Sequence, residues 1–113
     1  MAAKAFAALA LLISSTLMLA ADTTTATGWI GDSKCQTKVI WHGPQDEART
    51  RACVNKCLKD GEKPVFVTAA GEVWKIDNPA AVTAFAGDRV KIKATKNAST
   101  KTVHVEKIET ASK

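Results

Sequence analysis

The sequence predicts a mainly β fold with two short helices, and three observations lead there. Five short runs have strand-like apolar character, a segment with helix-capping signals follows the first of them, and Gly, Pro and Asn punctuate the joins. At 113 residues, 46% hydrophobic and 24% charged, the chain is too short for two ordinary domains and too apolar for a disordered one. Five strands with a short helix between the third and fourth match a five-stranded OB-like barrel. A Cys-bearing helical insertion between the first two strands sets this chain apart.

The start is expected to be a signal peptide, residues 1–21. Lys4 is its only charge, and from Ala5 to Ala21 the only polar side chains are Ser14, Ser15 and Thr16. Those 17 residues fall short of the roughly 20 needed to span a bilayer, so cleavage after Ala20 or Ala21 is expected, with no membrane span left afterwards. No Cys precedes Cys35, which excludes a lipid-modified Cys at the cut. The product is expected to be periplasmic or secreted, where disulfides persist.

Residues 22–27 are Thr-rich without apolar period and read as a flexible leader, so that the OB-like domain covers 28–113. Gly28-Trp29-Ile30-Gly31 reads as a short first strand, and Asp32, Ser33, Gly43 and Pro44 mark a loop to residue 45. Asp46 is placed to cap a helix from Glu47 to about Asp60, with Lys56 and Lys59 in its last turn and Gly61 beyond it. Ala52, Cys53, Cys57 and Leu58 are its expected docking face. Val65–Thr68 and Val73–Ile76 read as a hairpin around Ala69–Glu72. Asn78-Pro79 then opens a second short helix that Gly87 ends. Val90, Ile92 and Ala94 alternate with Arg89, Lys91, Lys93 and Thr95, a half-buried strand with a basic outer face. Thr102–Glu106 continues the alternation, and a bulge near Lys107 brings Ile108 back into phase.

Gly28-Trp29-Ile30-Gly31-Asp32-Ser33-Lys34-Cys35, Cys53-Val54-Asn55-Lys56-Cys57, Gly61–Val67, Phe85-Ala86-Gly87 and Val103-His104-Val105 together resemble a family of small exported bacterial proteins known as a domain of unknown function. The similarity covers nearly all of residues 22–113, and Asp-Ser-x-Cys and Cys-x-x-x-Cys are its most specific parts. In the family pattern a Gly follows the first Cys and a His lies four residues after it. Here Gln36 and Val39 hold those places, and His42 comes seven after Cys35.

Three cysteines are an odd number for an oxidising compartment, so one thiol is left over after any internal disulfide. Cys53 and Cys57, four apart on a helix, have Cβ atoms about 5–6 Å from each other, too far for a bridge that wants about 3.8 Å. The disulfide candidates are therefore Cys35 with Cys53 or Cys57, a staple worth roughly 3 kcal/mol. The same atoms also suit a metal: two soft donors on one helical face, with Cys35 and His42 completing a four-ligand set for Zn or Cu. Both readings stay open on the sequence.

No Walker, Rossmann or Gly-x-Ser-x-Gly signature is present, so no catalytic or organic-cofactor-binding residues are assigned and the chain reads as a non-enzymatic binding module. Dropping Lys4 from the 16 basic side chains leaves 15 against 11 acidic ones, a net charge of +4. That balance and the Arg89, Lys91, Lys93 row admit an alternative, a disulfide-stapled module for a protein or an anionic polymer. Nucleic acid is disfavoured, because only Trp29 and Trp41 are free to act as stacking platforms. His104 reads as solvated, and the alternating lysines as guards of an edge strand.

Overall fold

The computed structural model describes residues 22–41 and 46–111. The expected signal peptide and His42 lie outside the described residues. The strands are β1 (Asp22–Asp32), β2 (Pro64–Thr68), β3 (Val73–Ile76), β4 (Arg89–Asn97) and β5 (Thr102–Thr110). One α-helix, α1 (Asp46–Lys59), and a 3-10 turn at Gln36–Val39 lie between β1 and β2. The expected Cys-bearing insertion is therefore in place. No helix among the described residues is long and apolar enough to cross a membrane.

The strands form one mixed five-stranded sheet whose hydrogen bonding closes in a ring, in the order β1, β2, β3, β5, β4. All neighbours are antiparallel except β3 and β5, which pair in parallel through Lys75 with Thr102 and Ile76 with Val103. Asn78 extends that short parallel contact: its amide donates to the Val105 carbonyl at 2.8 Å and accepts the Val105 N–H at 3.0 Å.

Residues 22–27 are not a leader. They are the first half of β1, paired with β4 from Asp22 opposite Lys96 to Trp29 opposite Arg89. Thr23, Thr24, Thr25 and Thr27 are β-branched, and that strand propensity, with a ready partner in β4, outweighs their lack of apolar period. β1 changes partner near Gly28, beyond which residues to Asp32 pair with β2. A Cβ on Gly28 would lie 2.3 Å from the Val67 carbonyl oxygen, so only glycine lets β1 pass there.

Two apolar clusters result. Ile30, Phe66, Trp74, Val82, Val90, Ile92, Val103 and Val105 fill the inside of the ring. Trp29, Val39, Val54, Val65, Val67 and Ala86 form a second core on the outer side, where the insertion packs. β2 is buried on both faces, which is why Val65-Phe66-Val67 is an unbroken apolar run.

Three other expectations need correction. The second helix is two 3-10 turns, Pro79–Ala81 and Thr83–Phe85. The Asn78 side chain, at the start of the first turn, makes no capping bond because its amide is engaged by Val105, and Val82 between the turns is drawn fully into the core. β4 is no edge strand either, since β1 and β5 flank it. Finally, α1 docks through Val54, 2% exposed, with Leu58 four residues on half-buried beside it, whereas Ala52 and Cys53 are exposed. Val54 is a bulkier apolar side chain than Ala52 or Cys53, and the helix turns it inward.

The bulge falls where the alternation requires it. Lys93 faces Lys107 while Ala94 faces Val105, leaving Glu106 as the extra residue of β5.

Candidate metal centre

The turn after β1 is built by Asp32 and Ser33. Asp32 Oδ1 accepts the backbone N–H of Lys34 and of Cys35, both at 2.9 Å, the side-chain closure that makes Asp a turn former. Ser33 Oγ donates to Glu62 Oε1 at 2.7 Å and accepts the Lys63 N–H at 3.0 Å, while the Ser33 N–H donates to the Lys63 carbonyl at 2.9 Å. Asp-Ser-x-Cys thus ties the Cys35 turn to the chain leaving α1. Val39 anchors the following 3-10 turn by full burial, so its position in the fold is a core position.

Gln36, just after Cys35, has φ +47°, a left-handed conformation that costs an ordinary L-residue about 1 kcal/mol. Glycine at this position relieves that cost. Gln36→Gly is therefore expected to stabilise the fold by roughly 0.5–1 kcal/mol, read as a higher denaturant midpoint at unchanged slope.

On α1, Cys53 and Cys57 are one turn apart and sit beside the docking side chain Val54. The helix ends at Gly61, φ +103°, where the Glu62 N–H donates to the Cys57 carbonyl at 3.0 Å. That closure holds the last turn, and Cys57 with it, against the Ser33 turn. The three sulfurs lie within 4.8 Å of one another. Ligands at about 2.3 Å from a tetrahedral ion stand roughly 3.8 Å apart, so small side-chain rotations suffice to close the set. All three are free thiols, with Cys35 and Cys57 partly buried and Cys53 exposed. Neither candidate disulfide is formed in the structure.

Electrostatics disfavour a bare thiolate here. Burial first, then the Asp32 charge and then the neighbouring Cys53 push the Cys35 thiol up. Burial, Asp32 and Cys35 do the same to Cys57, with Lys34 pulling the other way. A nucleophilic cysteine needs the opposite shift. A cation among the sulfurs supplies the missing positive charge, displacing the protons as it binds.

The structure thus brings together Cys35, Cys53 and Cys57 of the predicted site, while His42 falls outside the described residues. Asp32 enters the sequence reading as loop punctuation, and its place in Asp-Ser-x-Cys is the signal for its larger role in the Cys35 turn. The stacking platforms do not materialise. Trp29 is 6% exposed in the outer core, edge-on to Trp41 at 6.5 Å. His104 is exposed and pairs with Asp77 at 2.7 Å, away from the cysteine cluster.

Comparison with known proteins adds a family without an assigned role. No curated protein and no solved structure matches the chain. A family model described as "Protein of unknown function (DUF5818)" matches residues 58–111, from the end of α1 through β5, a stretch that contains none of the three cysteines.

Proposed function

We propose that this protein is an exported OB-like module that binds one soft transition-metal ion, zinc or copper, through the sulfurs of Cys35, Cys53 and Cys57, with His42 as the fourth donor. The observation that carries this reading is the convergence of three thiols from two separate elements to within 4.8 Å. Thiolate sulfur selects such ions over magnesium or calcium. Because Cys53 is exposed and the other two are only partly covered, an ion can reach the cluster from solvent. The ring order β1, β2, β3, β5, β4 with a parallel β3–β5 closure supports the OB-like barrel. Export is supported by the charge-poor apolar start alone.

Reduced protein titrated with Co(II) or Zn(II) is expected to take up one equivalent, with a thiolate-to-cobalt absorption band and protons released as the metal binds. A thiol count of one in protein isolated without reductant, together with no metal uptake after reduction, overturns the proposal in favour of a Cys35 staple.

A further inference from the structure

Asp32 is the one fully buried charged side chain among the described residues. Its Oδ1 is used twice, by the N–H groups of Lys34 and Cys35. Its Oδ2 is buried and has no hydrogen-bond partner among the described residues. Buried polar oxygens are nearly always satisfied, and a carboxylate left half-satisfied is costly. The compensation has to come from nearby, and what lies nearby is the cysteine cluster. One of the two bonds to Oδ1 is from Cys35 itself, and the Asp32 charge acts on both Cys35 and Cys57.

The basic side chains of this region stand in solvent. Lys34 and Lys38 are exposed, and Arg49, 74% exposed, is paired with Asp46. Water and salt screen their charges, whereas burial leaves that of Asp32 largely unscreened.

We propose that Asp32 makes the three-thiolate site selective for a divalent soft cation over monovalent Cu(I). This rests on the metal-binding reading of Cys35, Cys53 and Cys57. Three thiolates and one carboxylate place four negative charges in one partly buried region. A divalent ion halves that excess, while Cu(I) leaves three uncompensated. The Coulomb attraction of a fixed buried charge scales with the charge of the ion, so Asp32 favours the divalent ion by the larger amount. Asp32 is thus a specificity-determining and positioning residue, acting through Cys35 and through its field.

Anaerobic titration of the full chain with Zn(II) and separately with Cu(I), each in competition with a chromophoric chelator, tests this in the wild type, Asp32→Asn and Asp32→Ser. Both variants keep an oxygen to accept the Cys35 N–H while removing the charge. The ratio of Zn(II) to Cu(I) affinity is expected to fall by about tenfold, through weaker Zn(II) binding. Should the amide of Asn fail to fit the buried site, Asp32→Ser reads the same ratio. Equal weakening of both ions, or unchanged Zn(II) affinity, overturns the selectivity role and leaves the metal site standing. Failure of the wild type to bind either ion overturns the metal site itself, and the selectivity role with it.

Discussion

Replacing Cys35 by serine is expected to abolish stoichiometric metal binding and with it any rise in melting temperature on adding Zn(II). Cys35 is the only sulfur of the cluster that does not come from α1, so it alone ties an ion held by the helix to the turn after β1. Outer-shell changes already cost metal sites about 10–100-fold in affinity, and loss of one of three thiolate ligands is expected to exceed that range. Cys53→Ser and Cys57→Ser should each produce the same loss, because a metal uses all three sulfurs. A staple behaves differently. It involves only one helical cysteine, so one of those two substitutions would be nearly silent, and Cys35→Ser would remove roughly 2–5 kcal/mol of stability without any metal present. Native mass spectrometry of each variant with one equivalent of Zn(II), alongside melting curves with and without the ion, separates the two patterns. Unchanged metal content in Cys35→Ser would mean that the ion is held elsewhere.

The pattern in the sequence was most legible where one physical demand acts on a segment. The alternation of Val90, Ile92 and Ala94 with charged residues, and the phase slip before Ile108, translate directly into a half-buried β4 and a bulge at Glu106. Residues 22–27 and 78–87 were less legible because tertiary partners decided them. The Thr-rich segment becomes strand only because β4 runs beside it, and the second helix gives way to 3-10 turns as Val82 is drawn into the ring and Asn78 is engaged by Val105. Helical spacing placed Cys53 and Cys57 on neighbouring turns. It could not place Cys35 beside them, since that depends on bonds between Ser33 and the Glu62–Lys63 backbone and side chain, 29 and 30 residues away. The burial of Asp32 is not legible either: a turn-forming Asp is ordinarily solvated, and nothing in the local pattern marks this one as fully buried.

Gly87→Ala is expected to cost about 2–5 kcal/mol and to weaken metal binding, although Gly87 lies outside the cysteine cluster. The backbone at Gly87 has φ +82°, which an L-residue reaches at a cost of roughly 1–2 kcal/mol. A Cβ built there would stand 2.5 Å from the Arg51 Cα and 3.0 Å from its backbone nitrogen. Those atoms belong to the middle of α1 and cannot swing aside as a side-chain tip would. Relief requires moving the whole helix, and forcing bulk into such a contact typically adds about 1–3 kcal/mol. The contact is also fastened from both sides: the Gly87 N–H donates to the Ile30 carbonyl at 2.7 Å, and Arg51 is paired with Asp88. If α1 lifts, Val54 loses its burial against the outer core, and Cys53 and Cys57 move away from Cys35. Gly61→Ala supplies the contrast. Gly61 also has positive φ, +103°, but no non-adjacent atom among the described residues lies within 4 Å of its added Cβ, so only the conformational cost of roughly 1–2 kcal/mol remains. Chemical denaturation and Zn(II) titration of the two variants side by side separate a helix held by close backbone approach from one that merely needs a left-handed turn. Equal destabilisation of the two, with metal affinity retained in Gly87→Ala, would show that α1 is free to shift without disturbing the three sulfurs.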